Sequence, residues 1–154
     1  MMVRIPANRG VPDLVFFITA GLRNRLPLFS NPKAAQIVVD SFQFFRENGG
    51  VELYGFVVMP DHIHVVLKTK APLTISRFVK RMKTHIAHSL GEGPIWEKGY
   101  WSEVIEGEVF MRQKLVYIHE NPVRAGLAVS AEEYPWSSAK EYFCKSTSDV
   151  IDPY

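Results

Sequence analysis

The run Leu14 to Ala20 (LVFFITA) is almost wholly apolar and rich in β-formers, the pattern of a strand covered on both faces. A polar, basic stretch, Gly21 to Pro27, follows it. Asn31-Pro32 then opens a helix over Lys33 to Asn48. Asn31 caps it, Pro32 stands where a missing N–H costs nothing, Gly49-Gly50 ends it, and Val38, Phe42 and Phe45 form its buried stripe. Val51 to Val58 and His62 to Lys68 are two further β-rich runs, and the intervening Met59-Pro60-Asp61 predicts a short turn and an antiparallel hairpin. From Leu73 to Leu90 apolar and basic positions alternate at helical spacing, with Ile75, Phe78, Val79, Met82 and Ile86 inward and Arg77, Lys80, Arg81 and Thr84 outward. Gly91 to Gly99 reads as a loop and Tyr100 to Ile105 as a last short strand. Glu108 to Glu120 reads as a helix stopped or bent near Asn121-Pro122, because a residue before proline is driven out of the α region, with a further turn, Val123 to Ala125, ending at Gly126.

Strand, helix, strand, strand, helix, strand, helix is the order of an α+β fold. It predicts a ferredoxin-like antiparallel sheet with helices packed on it, as a split βαβ layout gives. The chain has 154 residues, the size of one domain, so a single unit over 1–154 is expected, with a C-terminal appendage at about 128–145 and a loose tail at 146–154. A composition of 47% hydrophobic and 22% charged residues is far from that of disorder. No window offers the roughly 18 uninterrupted apolar residues of a membrane span, and MMVRIPANRG lacks the apolar run of a secretion signal. The single cysteine, Cys144, excludes an intrachain disulfide and a Cys–His metal cluster. A cytoplasmic setting without membrane contact follows.

Net charge is only +2, but it is unevenly spread. From His62 to Gly91 there are six basic residues (Lys68, Lys70, Arg77, Lys80, Arg81, Lys83) and no acid, so this stretch is +6 and the rest −4. Such a local excess is the footprint of a phosphate-binding face or of a solvated helix face.

His62-Ile63-His64 carries the first candidate chemistry. On a strand both imidazoles project from one face while Ile63, Val65 and Leu67 pack on the other, and two neutral imidazoles so placed chelate one metal ion. With no cysteine nearby, a third ligand must be His, Asn, Gln, a carboxylate or water. Tyr117 and Asn121, four apart, line one face of the last helix away from Leu115 and Ile118, so a hydroxyl and an amide oxygen project together. The alternative is a rim aromatic and a turn former. His119 points elsewhere on a regular helix, and His85 and His88 read as surface residues. Trp96, Tyr100, Trp101 and Trp136 are either core or stacking platforms for unpaired bases.

Phe56-Val57-Val58-Met59-Pro60-Asp61-His62-Ile63-His64, then Tyr117-Ile118-His119-Glu120-Asn121-Pro122-Val123-Arg124-Ala125-Gly126-Leu127, then Tyr134-Pro135-Trp136-Ser137-Ser138 together resemble the HUH single-tyrosine transposases, and more narrowly the REP-associated tyrosine transposases. The resemblance begins near Phe16, includes Asn24 to Phe29 and runs to about Tyr142. It implies a metal-dependent single-stranded DNA endonuclease and strand transferase acting at hairpin-associated sites through a 5′-phosphotyrosine intermediate. His62 and His64 match the histidine pair that holds a divalent ion, Mg²⁺ or Mn²⁺; Asn121 matches the polar third ligand; Tyr117 matches the nucleophile. Arg23, Arg25, Arg77, Lys80 and Arg81 are the candidate phosphate contacts. The implied partner is single-stranded DNA with a hairpin, the implied setting the nucleoid, and a homodimer is an open expectation. Two departures stand out: Asp61 replaces a common Asn, and Tyr100 to Glu108 is less basic than the family pattern.

Other readings are weaker. A His-x-His-x-His phosphohydrolase needs a third alternating histidine where Val66 stands, and a two-histidine phosphoesterase needs a second His-x-Ser/Thr motif, absent from the chain. The remaining rival is a non-catalytic DNA hairpin-binding descendant of such a transposase.

Overall fold

The computed structural model describes residues 14–143 and 151–152. The elements follow the predicted order: β1 Val15–Gly21, α1 Pro32–Asn48, β2 Val51–Val58, β3 His62–Thr69, α2 Ile75–Leu90, β4 Trp101–Ile105, α3 Glu108–Arg124 and a short α4, Ala139–Phe143. The four strands form one sheet in the order β2-β3-β1-β4, every neighbour antiparallel. This is the ferredoxin-like arrangement the element order predicts.

Local chemistry sets the helix ends. The Asn31 side chain accepts the Lys33 backbone N–H at 2.9 Å, Thr74 accepts that of Arg77 at 3.1 Å, and Gly91 ends α2 in the left-handed region (φ 68°).

Alternation on the strands divides the sheet into two faces. Phe16, Ile18, Ile63, Val65 and Leu67 point into the larger core, where Val38, Phe42 and Phe45 of α1 and Phe78, Val79, Met82 and Ile86 of α2 cover them. The opposite face carries Phe17, Val57, Val66 and Ile105, which bury against Met111, Leu115 and Ile118 of α3 and against Tyr134. Three layers result, with α3 and the C-terminal segment around Tyr134 in the third.

Gly55 decides how closely α3 lies. A methyl group there would come within 2.5 Å of the Leu115 side chain and 3.3 Å of Ile118, so glycine lets the helix lie at this distance without either side chain shifting. The β2–β3 register is irregular at the same point, between Leu53 and Gly55.

Helix α3 does not stop at Asn121-Pro122. It continues to Arg124, with Pro122 buried inside it. Pro122 sits in the last turn, where one N–H is lost, its carbonyl accepts from Leu127 N at 2.8 Å, and burial of the apolar ring outweighs the local preference.

The outer edge of β2 is covered by the C-terminal part of the chain. Val58 N donates to Trp136 O, Ser138 N donates to Phe56 O, the Ser138 hydroxyl accepts from Phe56 N, and the Tyr134 hydroxyl donates to Val58 O at 2.6 Å. Within the stretch expected as a loose tail, Ile151 is buried and the Asp152 carboxylate accepts from Leu53 N and pairs with Arg46 at 3.0 Å. Residues 146–150 and 153–154 lie outside the described residues. No helix among the described residues is long and apolar enough to cross a membrane.

Candidate active site

His62 and His64 open β3, and strand alternation puts both on the α3 side of the sheet, with ring centroids 4.8 Å apart. Each ring is tied through Nδ1. His62 Nδ1 lies 2.6 Å from Asp61 Oδ1, and His64 Nδ1 lies 2.8 Å from the Thr19 hydroxyl on β1. In the tautomer in which each Nδ1–H donates, both Nε2 lone pairs are left for a ligand, and the ring orientations are held by their outer partners.

Electrostatics favour that state at His64. Burial, then the positive fields of His62, Lys114, Arg124 and Arg25, push its pKa down to about 3, so at neutral pH it is an uncharged imidazole.

Tyr117 comes to this pair from α3. Its ring centroid is 5.8 Å from that of His64 and 6.1 Å from that of Phe17, which itself stacks on His64 at 5.2 Å. The side chain is 43% exposed, so the hydroxyl is reachable from solvent while the ring is held. Two cations frame it: Arg124 lies 4.8 Å over the ring and donates to the Tyr117 carbonyl, and Lys114 lies 5.6 Å from the ring centroid. Lys114 is anchored by Glu103 on β4 at 2.9 Å. Asn121 follows Tyr117 by one turn of the same helix, half-buried, and its side-chain amide has no hydrogen-bond partner among the described residues.

The donor set suits a divalent ion of mixed nitrogen and oxygen preference. No group of three or more His, Cys, Asp or Glu capable of holding a metal occurs among the described residues, so beyond the two imidazoles these residues leave an amide oxygen and water. Mg²⁺ and Mn²⁺ accept such a shell.

The basic candidates divide between two sides of the molecule. Arg23 and Arg25 lie in a short 3-10 turn just after β1, beside the histidine pair, with Arg25 3.9 Å from Asp61. Asn24 and Arg25 there adopt left-handed backbone angles (φ 56° and 53°), a conformation unfavourable for arginine and held by Leu22 N on Asp61 O and Arg23 N on Ile95 O. Arg77, Lys80 and Arg81 instead lie on α2, across the sheet from the histidines. With Phe44, Thr84, His85 and His88 they line a cleft of about 620 Å³.

His119 is buried. Its Nε2 lies 2.8 Å from the Ser138 hydroxyl and its ring 5.2 Å from that of Tyr142, so it fastens the C-terminal appendage to α3. His85 is half-buried, stacked on Phe44 at 4.8 Å, and His88 is exposed.

Sequence reasoning missed Thr19, Gly55, Lys114 and Arg124. A glycine inside an apolar strand is a legible sign of close approach, and Lys114 and Arg124 stand at helical spacings of three and seven from Tyr117. Thr19 carries no such signal, because its role exists only through the β1–β3 register.

Comparison with known proteins gives consistent findings. The profile of the IS200-like transposases matches residues 12–121. The REP-associated tyrosine transposase of Escherichia coli K12 is 24% identical over 131 residues, covering 80% of this chain and 74% of that protein. A solved structure of a REP-associated tyrosine transposase bound to a REP hairpin superimposes with a TM-score of 0.77 at 21% identity, over 100% of this chain and 92% of that one, which shows the shared fold.

Proposed function

The chain belongs to the IS200-like transposase family, and on that footing we propose that it nicks and rejoins single-stranded DNA beside a hairpin, with Tyr117 as the nucleophile. The observation that carries this reading is the meeting of Tyr117 with two imidazoles whose Nε2 atoms have no hydrogen-bond partner among the described residues, the rings of Tyr117 and His64 being 5.8 Å apart. His62, His64 and the Asn121 amide oxygen are the donors that would hold Mg²⁺ or Mn²⁺, and the chemistry such an ion supplies is to polarise the scissile phosphate and make phosphorus more electrophilic.

Tyrosine is a poor nucleophile at neutral pH, its free pKa being near 10, so it needs an activated phosphate and a fixed approach. Helix α3 fixes the approach, since Leu115 and Ile118 clamp it over Gly55. Lys114 and Arg124 put positive charge where a phosphate must approach the ring. The Tyr117 oxygen forms a bond to phosphorus as its proton passes to solvent; the bond from phosphorus to the 3′ oxygen breaks, and that oxygen takes a proton from water. The 5′ side of the cut is then held as a phosphotyrosine ester. A 3′ hydroxyl attacking that ester restores a phosphodiester and frees Tyr117, so no nucleoside triphosphate is consumed.

Arg23 and Arg25 contact the strand at the site. Arg77, Lys80 and Arg81 contact phosphates further along the DNA, on the far side of the sheet, and their loss should weaken binding at every sequence and flatten its salt dependence.

The test uses end-labelled hairpin DNA with a single-stranded flank, wild type and Tyr117→Phe, with Mn²⁺ or EDTA. A denaturation-resistant protein–DNA adduct that requires both the metal and Tyr117 is the expected result. Hairpin binding without any adduct would instead favour a protein that binds DNA and no longer cuts it.

A further inference from the structure

Across the sheet, the β-ladder aligns His64 with Thr19 and Thr19 with Trp101, so the three residues form one row on the α3 side. The Thr19–His64 side-chain hydrogen bond fixes which face this is. Trp101 begins β4 two strand spacings from His64, about 10 Å along the row. Helix α3 covers Glu103 and Ile105 further along β4 and leaves this corner open.

Of the three tryptophans, Trp101 is the exposed one. Its side chain is 52% exposed and its indole N–H has no partner among the described residues. The other two tryptophans are structural: Trp96 packs on the larger core and donates to Lys83 O at 3.0 Å, and Trp136 packs between the two cores. The approach to Trp101 is nonetheless rigid. The Lys83 ammonium binds the carbonyls of Glu97 and Gly99, Tyr100 packs into the larger core, and the strand is hydrogen-bonded to β1. A large flat apolar ring is thus held in solvent, level with the histidine pair, and Arg25, Lys114 and Arg124 supply positive charge around the same opening.

We propose that Trp101 is a base-stacking subsite, taking one unpaired nucleobase of the strand whose phosphate lies at His62 and His64, and thereby setting which phosphate reaches Tyr117. It rests on the single-stranded DNA reading given above. A single strand offers what fits here: an anionic backbone for the cations and a π-face for the indole, about a nucleotide or two from the phosphate. Stacking of this kind tolerates any base.

The test separates this subsite from DNA binding in general. Affinity is measured in the Tyr117→Phe background, so that no covalent adduct forms, for a DNA hairpin with a short oligothymidine tail on its 5′ or 3′ side and for the same hairpin blunt-ended. The unsubstituted background should bind the tailed hairpin more tightly than the blunt one. Trp101→Ala should weaken the tailed complex roughly tenfold and leave the blunt one unchanged, whereas Trp101→Phe should stay within about threefold of wild type. Quenching of tryptophan fluorescence by the tail should disappear in Trp101→Phe, and neither variant should lower the thermal midpoint.

Equal losses on tailed and blunt hairpins, or no loss on either, overturn the stacking proposal while leaving the DNA reading intact. If neither hairpin binds to any variant, the DNA reading falls and this subsite with it.

Discussion

Asp61 bridges the metal-ligand candidate His62 and the cation Arg25, at 2.6 Å and 3.9 Å, where the family pattern has a common Asn. As a carboxylate it accepts the Nδ1–H of His62 and raises the donor strength of Nε2, a role outer-shell carboxylates play around metal-bound histidines. Asp61→Asn should therefore keep the fold but raise the Mn²⁺ concentration giving half-maximal adduct by about 10- to 100-fold. An unchanged metal titration would remove Asp61 from this role. Thr19→Val should move the metal titration in the same direction, because it deletes the one partner of His64 Nδ1 and leaves a buried polar atom unsatisfied.

At the scale of elements, α3 delivers the chemistry, and Gly55 lets it do so. Gly55→Ala would force Leu115 and Ile118 away from the sheet, costing about 1–3 kcal/mol and displacing Tyr117 from His64. Thermal unfolding should show the loss, and adduct yield should fall further than instability alone explains. The elements themselves were largely legible: periodicity placed both core helices and the His62 hairpin, since a helix or strand that buries one face must repeat apolar residues at its own period. The extent of α3 was legible only in part: Asn121-Pro122 signals either a stop or a bend, and it is the burial of Pro122 that decides for a helix continued to Arg124.

At the scale of the molecule, the C-terminal segment seals the edge of β2 and locks onto α3 through His119. His119 is buried, and burial lowers its pKa from 6.5 to about 4, so below pH 6.5 the unfolded chain takes up a proton that the folded chain refuses. Stability should fall as pH drops from about 6.5 towards 4 and then level with respect to this group, an effect of roughly 3 kcal/mol. His64 adds a loss of the same sign reaching lower pH. Denaturant unfolding at a series of pH values checks this, and His119→Gln should flatten the dependence. Asp152 closes the other end of the seal, so Asp152→Ala, which strips an acceptor from Leu53 N and a partner from Arg46, should lower stability by about 1–2 kcal/mol in the same assay. A second copy pairing through β2 would have to displace this cover.

Sequence alone determined the order of elements, the shared face of His62 and His64 and the spacing of Tyr117 and Asn121, because each depends on the period of a single helix or strand. The motif order also carried the family. Tertiary structure alone decided that α3 crosses the sheet on the histidine side while the cations of α2 lie on the other. It likewise decided that Thr19 orients His64, that His119 is a fastening and that Trp101 stands in the row of the site. Those relations join residues far apart in the chain, and they arise from strand register and from which face each helix buries, quantities set only when the sheet closes.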